Sequence, residues 1–266
     1  MAVECIHGLD EGLCDLCYPK PAPEVEPRAA RTAPRRAALS STTKTATKAA
    51  PRTPIVSVGD QRIYHVTHIR NLAGILASGC LMADASDAWT SRPTVDISSA
   101  DTRELRRATD VAAGWSVASY VPFFLAPNAT VWEGFRSGAA DPRLSPGARD
   151  LVASDFIILV STITHAGADG MAVTDGDAAH ALTRFATTPE ASERMLRRMR
   201  NDTGDDRATI LDAEFLVQET FSFRSVTLVG VANDRERDRV KAILQPSAFG
   251  PKVAVYPPWF QRPDAI

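Results

Sequence analysis

Residues 18 to 54 contain almost nothing that a folded core could bury, and this segment divides the chain into three parts. It consists mainly of Pro, Ala, Ser, Thr and cations, with eight basic residues and two acidic ones. A segment of this composition can bury too little apolar surface to offset the conformational entropy that is lost on ordering. We therefore expect a disordered tether. A basic tether can hold a polyanion by counterion release, or it can serve simply as a solubilising linker.

The bulk composition is that of an ordinary globular protein with one large folded part. The chain has 266 residues, of which 44% are hydrophobic and 23% are charged, which suffices for a sizeable core. The sequence contains no run of about 18 apolar residues, and its first residues lack the pattern of a signal peptide. Four cysteines do not make a disulfide framework for a chain of this size. We therefore expect a cytoplasmic protein that does not enter a membrane.

The first seventeen residues carry a pattern of metal ligands, Cys5-x-His7-x6-Cys14-x2-Cys17. Thiolate and imidazole ligands suit tetrahedral zinc, and so short a segment does not fold without such a staple. With four protein ligands the zinc would be structural, and the alternative is three unpaired thiols and a solvent-exposed histidine. We predict a zinc-knuckle-like segment at 1–18, a linker at 19–57 and a folded domain at 58–266.

The folded part opens with IYHVTHIRNLAGILASG, which has many polar side chains at its start and then becomes apolar. Residues 63 to 68 alternate as a strand does, and helical spacing of apolar residues follows Asn71 as far as a terminal glycine. A strand that runs into a helix exposes polar groups to a cleft, so His65, Thr67 and Asn71 are candidates for holding a polar small molecule. His65 and His68 point to opposite faces of a strand, which argues against a shared metal ion.

A second polar segment, DISSADTRELRRATD, predicts a loop and a helix that begins near Asp101, with Glu104 at the third helical position of a capping arrangement. Arg103, Arg106 and Arg107 follow at helical spacing, so at least two guanidinium groups share one face. Guanidinium forks of this kind suit a pyrophosphate. The alternative is an ordinary solvated helix face.

Four segments further along predict the rest of the core. ASYVPFFLAPNATVW should cross the core or line a pocket, and DFIILVSTI should be a strand buried on both faces. TDGDAAHALTRF predicts a turn that opens a helix, and DAEFLVQETFSF predicts another strand. On that strand Glu214 shares a face with Leu216 and Gln218, which fits either a catalytic carboxylate or an edge-strand charge. Cys80 is expected to be a small buried hydrophobe.

These segments, in this order, resemble the DarT family of nucleic-acid ADP-ribosyltransferase toxins. The resemblance covers roughly residues 60 to 262 and rests on YHVTHIRNLAGILASG, the Asp-Ile-Ser segment with its arginine pair, YVPFFLAP, the TDG turn, AEFLV and VYPPWF. It implies an α+β fold, an ADP-ribosyltransferase-like split β-structure with surrounding helices and a cleft for NAD.

The resemblance also implies roles for individual residues. By the family pattern, His65 and Thr67 hold the nicotinamide amide and the nearby ribose, Asn71 assists, and Glu214 is the catalytic carboxylate. The second arginine of the family's pair contacts the diphosphate and the reacting centre, and the alignment on the Asp-Ile-Ser motif places it at Arg106.

This chain departs from the family pattern at that arginine. The family tends to end the motif with two arginines, whereas this chain reads Leu105-Arg106-Arg107, so Arg107 is an alternative.

The chemistry of the reaction makes independent sense of these residue types. Cleavage of the bond between nicotinamide and ribose passes through a transition state with oxocarbenium character, which a carboxylate such as Glu214 stabilises. Tyr120 could wall the pocket by stacking. The acceptor base must not be locked in a duplex, so single-stranded DNA is the expected substrate and partner. The region from His180 and Arg184 to the run Arg194–Arg200 is the natural place for acceptor contacts, and an amphipathic surface helix is an equal alternative for the run.

We thus expect a cytoplasmic toxin that transfers ADP-ribose from NAD to a base in single-stranded DNA, countered by a macrodomain-type antitoxin. One alternative is an ADP-ribosyltransferase that acts on RNA or on guanine bases. The other is a non-catalytic, zinc-anchored nucleic-acid-binding module.

Overall fold

The computed structural model describes residues 58–167, 169–201 and 209–262, which form a mixed α+β fold. The zinc pattern and the tether predicted at 1–57 lie outside these residues. The strands are β1 (Arg62–His68), β2 (Cys80–Met82), β3 (Asp110–Ala112), β4 (Trp115–Ser116), β5 (Tyr120–Phe124), β6 (Phe156–Thr162), β7 (Met171–Thr174), β8 (Phe185–Ala186), β9 (Glu214–Gln218), β10 (Thr220–Ser222), β11 (Leu228–Val231) and β12 (Lys252–Val255).

Short helices surround these strands. They are α1 (Leu72–Ser78), α2 (Ala100–Ala108), α3 (Thr130–Ser137), α4 (Ile163–Ala166), α5 (Pro189–Asn201), α6 (Thr209–Asp212) and α7 (Asp234–Leu244). Within the described ranges, no helix has the length and apolar character needed to cross a bilayer.

Eight strands form one sheet in the order β12-β11-β6-β1-β5-β9-β7-β8. The pair β11–β12 is parallel and the other neighbours are antiparallel. Strand β1 pairs with β6 along its whole length but with β5 at a single position, Tyr64 opposite Phe124. Strand β5 in turn pairs with β9 along its whole length. The sheet therefore opens between β1 and β5, which is the split that the family resemblance implies.

Apolar clusters cover both faces of this sheet. Because side chains alternate along a strand, Ile63 and Phe123 lie on one face with the larger cluster, which also takes residues from α1, α5 and α7. Tyr64 lies on the opposite face, where Trp132 of α3 and Phe260 pack against it and against β6. A third, smaller cluster forms around Tyr120 at the other end of β5. The predicted strand DFIILVSTI corresponds to β6, whose first six residues are all buried, as expected for a strand covered on both faces.

The first predicted unit, a strand that runs into a helix, is confirmed. After a short 3-10 turn, α1 ends at Gly79, which adopts the left-handed conformation (φ 72°) that favours glycine at a helix C-terminus. Asn71 precedes α1 as predicted, but its side chain makes no capping hydrogen bond.

The capping arrangement predicted for α2 is wrong in detail. The helix starts at Ala100, and Ser99 caps it by accepting a hydrogen bond from the Thr102 amide. Thr102 therefore occupies the third helical position that we assigned to Glu104, because the serine before Ala100 offers a hydroxyl to the first turn.

Two other predictions differ from the structure. The segment Thr174–Phe185 forms a folded turn between β7 and β8 instead of opening a helix, since Asp175 and Asp177 hold it by local hydrogen bonds to Arg184 and Ala179. The strand predicted over 212–223 is interrupted at Glu219, which has a positive φ of 57°. The chain thereby leaves the main sheet after β9, and β10 pairs with β2.

The run Arg194–Arg200 lies on α5, where Leu196 and Met199 are buried and Met195 is partly buried. This is the amphipathic surface helix that we gave as one of two alternatives. Cys80 is only partly buried, so it is less enclosed than predicted.

Candidate active site

Glu214 is a buried carboxylate at the start of β9, with only 4% of the residue exposed. Its amide donates a hydrogen bond to Thr174 Oγ1 (2.7 Å), which fixes the backbone against β7. Its Oε1 accepts a hydrogen bond from the amide of Ala178 (3.0 Å) in the turn between β7 and β8. This amide and the Thr174 contact together hold Glu214 at a fixed position.

Arg106 supplies the compensating charge from the last turn of α2. Its Nη1 and Nη2 donate to Oε1 and Oε2 of Glu214, each at 3.0 Å, in a two-pronged ion pair. Burial by itself would lower the pKa of Arg106, but the charge and the hydrogen bonds of Glu214 outweigh it, and that pKa lies above its ordinary value. This pair joins two segments that are far apart in the sequence.

The other two arginines of α2 have different partners. Arg103 pairs with Asp96 (2.9 Å) in the preceding loop, and Arg107 pairs with Asp84 (2.6 Å) at an exposed position. Among the three arginines that the helical spacing brought together, Arg106 is the one in contact with Glu214.

His65 lies where β1 and β5 separate. Its Nδ1 donates to the Pro122 carbonyl oxygen (2.9 Å), and its ring packs against Phe123 at 5.6 Å between centroids. The imidazole therefore bridges the split at the point where the backbone ladder stops. Burial lowers the pKa of His65, and the bond to Pro122 opposes that shift only partly. The ring is thus neutral near pH 7 and keeps a lone pair on Nε2.

The sheet register places His65 and Glu214 on opposite faces. Glu214 is paired with Phe124, which is paired with Tyr64, and directly paired residues share a face. His65 follows Tyr64 and points to the other side.

Thr67 and Asn71 form a buried link to the loop that precedes α2. The Asn71 Nδ2 donates to Thr67 Oγ1 (3.1 Å) and to the Val95 carbonyl oxygen (2.8 Å), while Oδ1 accepts from the Val95 amide (3.0 Å). These bonds occupy the amide of Asn71 on both sides. Asn71 thus connects the start of α1 to the segment that leads to α2. It lies on the β1 side of the split, whereas Glu214 lies on the β5 side.

Tyr120 is buried on the same face as Glu214. Its strand partner is Gln218, which shares a face with Glu214, and only 5% of Tyr120 is exposed. The ring packs with Ala178 and Leu216, and burial raises the pKa of Tyr120. Tyr120 therefore lies beneath the turn whose amide binds Glu214.

Sequence patterns did not reveal the groups that hold Arg106 and Glu214 in place. The Ala178 amide is a backbone donor, which leaves no signal in residue type. The guanidinium of Arg143 contacts three carboxylates, those of Asp141, Asp177 and Asp212, and each lies in a different segment. Burial alone would lower the pKa of Arg143, but Asp141 and Asp212 outweigh it and raise that pKa. No spacing rule connects residues so far apart.

The described residues contain no cluster of three or more His, Cys, Asp or Glu side chains that could hold a metal ion. The predicted ligands Cys5, His7, Cys14 and Cys17 lie outside those residues, so zinc stays a prediction. A cleft of about 750 Å³ lies between α3 and residues 138–154, and neither Arg106 nor Glu214 lines it. The Arg106–Glu214 ion pair therefore lies outside this cleft.

Comparisons with known proteins match this architecture. The family model described as "ssDNA thymidine ADP-ribosyltransferase, DarT" matches residues 64–261. A DNA ADP-ribosyl transferase of Mycobacterium tuberculosis is 28% identical over 219 residues, covering 74% of this chain and 88% of that protein. One of Thermus sp. is 27% identical over 207 residues, covering 74% of this chain and 95% of that protein.

A solved structure shares the fold as well. The Thermus sp. 2.9 DarT in complex with ADP-ribosylated ssDNA superposes with a TM-score of 0.62 at 25% identity, covering 76% of this chain and 96% of that one. The family model spans nearly all of the folded part, including β1, α2, the turn after β7 and β9. This chain therefore belongs to the DarT family of ADP-ribosyltransferases.

Proposed function

We propose that this protein transfers ADP-ribose from NAD to a base in single-stranded DNA and releases nicotinamide. Family membership supports the reaction class, and the relative solved with ADP-ribosylated ssDNA supports the acceptor. The single observation that carries the proposal is the buried, two-pronged Arg106–Glu214 pair beside the split in the sheet. The Glu214 carboxylate would face the positive charge that develops on the ribose of NAD. The Arg106 guanidinium would face the NAD diphosphate.

In the proposed reaction the bond between the ribose C1′ and the nicotinamide nitrogen breaks, and nicotinamide leaves with the bonding electron pair. The ribose then carries oxocarbenium character, which the Glu214 carboxylate stabilises through charge and through the ribose hydroxyls. A ring nitrogen of the acceptor base forms the new bond to C1′. The proton lost from that nitrogen passes to the carboxylate or to water, which balances the reaction.

Arg106 is proposed to exchange partners as NAD binds. Both of its terminal nitrogens donate to Glu214, and each has a second N–H that can donate to a phosphate. Two oxygens of a diphosphate can also accept the same pair of N–H groups as a carboxylate does. Binding of the diphosphate would draw Arg106 away and leave Glu214 free to face the ribose, with the Ala178 amide still holding one oxygen.

The remaining residues are proposed to shape the NAD pocket. The neutral His65 can accept a hydrogen bond from the nicotinamide amide on Nε2, because Nδ1 is held by Pro122. Thr67 lines the same side, and Asn71 assists by fixing the loop at Val95. Tyr120 supports the Ala178 turn from below and gives the pocket an aromatic wall.

The turn Asp175–Arg184 is proposed to meet the acceptor strand. It contains Ala178, whose amide touches Glu214, and it presents Leu182, a large apolar side chain that is 82% exposed. An apolar side chain beside a reaction centre can pack on an unstacked base, and Arg184 adds a cation for the backbone. The family description names thymidine, so thymine is the proposed base, with guanine or RNA as the alternatives.

The rest of the chain fits this function in outline. We propose that residues 1–18 form a zinc knuckle, that 19–57 are a basic linker and that 58–266 are the transferase domain. The reaction needs NAD and single-stranded DNA, so we propose that the protein acts in the cytoplasm as a toxin. A macrodomain-type hydrolase that removes ADP-ribose from DNA would be its antitoxin.

The test is nicotinamide release with and without a single-stranded DNA oligonucleotide. Glu214→Gln keeps the shape of the side chain but removes the charge, so transfer should fall by roughly 10²–10³-fold. The matched control is Glu236→Gln, since Glu236 is also a buried glutamate (5% exposed) but lies on α7. Full activity of Glu214→Gln, or equal loss in both variants, would contradict the assignment.

A further inference from the structure

We propose that Arg143 is a positioning residue that fixes the segments carrying Arg106 and Glu214 relative to one another. This inference rests on the proposed function, because it concerns the same catalytic pair. Arg143 lies between α3 and β6, in a segment that touches neither member of the pair directly. It contacts instead the three segments on which the geometry of the pair depends.

The first connection runs from Arg143 to the strand that carries Glu214. Its Nη1 donates to Asp212 Oδ1 at 3.0 Å, and Asp212 is the last residue of α6, two positions before Glu214. A contact so near the start of β9 restrains the place where that strand enters the sheet.

The second connection runs to the turn that donates to the carboxylate. The same Nη1 lies 3.5 Å from Asp177 Oδ2, and the next residue, Ala178, gives its amide hydrogen to Glu214 Oε1. Arg143 thus contacts Asp177, which precedes the Ala178 donor, and Asp212, which lies just before β9.

The third connection runs through the backbone to α2. The Arg143 carbonyl oxygen accepts from the Ser99 amide (2.9 Å), and Ser145 donates from its amide to the Ile97 carbonyl oxygen (2.8 Å). Leu144 and Ser98 form an isolated β-bridge between these bonds. Ser99 is the N-cap of α2, the helix whose last turn carries Arg106. The start of α2 is therefore fixed to the same short segment.

Asp141 anchors the side chain that makes these connections. Its carboxylate accepts from Arg143 Nε (3.0 Å) and Nη2 (2.7 Å) and also from the Arg143 amide (2.9 Å). This bidentate contact uses the Nε–Nη2 edge of the guanidinium and leaves Nη1 to contact Asp177 and Asp212. A lysine has no such planar fork and could not serve all three carboxylates at once.

The consequence is that Arg143 should affect turnover more than NAD affinity. Loss of the guanidinium leaves the chemistry-bearing side chains intact but lets α2, β9 and the Ala178 turn shift relative to one another. Misplacement of reacting groups by about 1 Å can cost on the order of 10²-fold in rate. A residue that only stabilised the fold would lower the apparent kcat in proportion to the loss of folded protein, so kcat per folded molecule separates a positioning role from a stabilising one.

The experiment measures kcat and KM for NAD with a saturating single-stranded DNA oligonucleotide in the wild type, Arg143→Gln and Arg143→Lys. The control is Arg237→Gln, because Arg237 also pairs with two carboxylates, Asp234 and Asp238, but on the surface of α7. We expect kcat of Arg143→Gln to fall by about 10–100-fold, KM for NAD to change little, and Arg143→Lys to recover part of kcat. An unchanged kcat in Arg143→Gln, or a loss that matches its loss of folded protein, would overturn the proposal.

Asp212→Asn keeps the test valid if Arg143→Gln does not fold. It removes one partner while Asp141 still anchors the guanidinium, so kcat should fall in the same direction. Hydrogen exchange gives a readout that needs no activity: the amides of Ser99 and Ala178 should exchange faster in Arg143→Gln or Asp212→Asn than in Arg237→Gln. Unchanged exchange at both amides would refute the positioning role. An inactive wild type would refute the proposed function instead, and the exchange result would still decide the role of Arg143.

Discussion

The Glu214 carboxylate is held from two sides in the free protein, by the guanidinium of Arg106 and by the amide of Ala178. These contacts provide hydrogen-bond donors to a carboxylate that is almost wholly buried.

The two neighbouring arginines of α2 should therefore respond differently to substitution. Arg106→Lys loses the fork that matches a carboxylate or a diphosphate, so kcat/KM for NAD should fall by about 10² or more. Arg107→Lys changes an exposed ion pair with Asp84, worth only about 0–1 kcal/mol, and should leave kcat/KM within about threefold of the wild type. The steady-state rates of nicotinamide release compare the two variants. A larger effect at Arg107 would assign the role to that alternative instead.

The buried His65, at the split in the sheet, makes the stability of the fold depend on pH. Burial lowers its pKa below 6.5, and burial also lowers the pKa of His68, so the native state takes up these protons at lower pH than the unfolded chain does. Stability should thus be complete above about pH 7 and should fall as pH drops below about 6.5, by at most about 1.4 kcal/mol per pH unit for each group.

The contribution of His65 can be isolated by replacement. In His65→Gln the amide can still donate to the Pro122 carbonyl oxygen but does not titrate, so the free energy of unfolding should depend less steeply on pH between about 5 and 6.5. Urea unfolding at several pH values measures this slope, and His165→Gln, at an exposed histidine of α4, is the control. Identical slopes in the wild type and His65→Gln would contradict the role of burial at this ring.

At the scale of elements, the sheet is closed on one side by the C-terminal segment that follows β12. The ring of Trp259 lies over Gly230 of β11, stacks on Tyr256 (4.4 Å between centroids) and meets Tyr64 edge-on (5.7 Å). Its carbonyl oxygen accepts from Trp132 Nε1 (2.7 Å). This segment therefore contacts α3, β1 and β11. It approaches β11 closely at Gly230, where no side chain stands in the way.

Two glycine replacements test that packing. A Cβ at Gly230 would lie 2.6 Å from Trp259 Cζ3, so Gly230→Ala should push the ring out and cost about 1–3 kcal/mol of unfolding free energy. A Cβ at Gly74, inside α1, would meet nothing within 4 Å, so Gly74→Ala should add about 0.5–1 kcal/mol. Denaturant unfolding of both variants gives opposite signs on this account, and a neutral Gly230→Ala would show that the Trp259 contact is loose.

The sequence predicted those elements whose apolar pattern agrees with local signals. β1 and α1 follow from alternation, helical spacing and a terminal glycine, and β6 follows from an unbroken apolar run. The helix expected after the TDG turn does not form, because Asp175 and Asp177 direct their hydrogen bonds into the turn itself. The break at Glu219 has no such signal, since glutamate does not favour a positive φ and only the switch of strands to β2 demands it.

For the site, the sequence supplied residue types and the family resemblance supplied roles, but neither supplied the contacts. Helical spacing brought Arg103, Arg106 and Arg107 together, and only the tertiary fold distinguishes Arg106, which meets Glu214, from the other two. Arg103 is partly buried beside Asp96, and Arg107 is exposed. The Arg143 network and the Ala178 amide depend on how separate segments pack, which no local pattern encodes.

At the scale of the whole molecule, the chain combines a basic N-terminal region with a family domain that carries the Arg106–Glu214 pair. The family match covers residues 64–261, and the eight basic residues of 18–54 lie before it. The domain alone contains Arg106, Glu214 and the turn that we propose for the acceptor strand. The central claim therefore concerns what this pair does to NAD when a nucleic acid strand is present.

The most direct test is the intact mass of short homopolymer oligonucleotides of DNA and RNA after incubation with NAD and the full chain. Single-stranded DNA that contains thymine should gain the mass of one ADP-ribose per modified base, and the gain should disappear with Glu214→Gln. Duplex DNA should gain little, because its bases are not accessible. If no oligonucleotide gains mass while NAD stays intact, the Arg106–Glu214 pair does not perform this transfer and the central claim is contradicted.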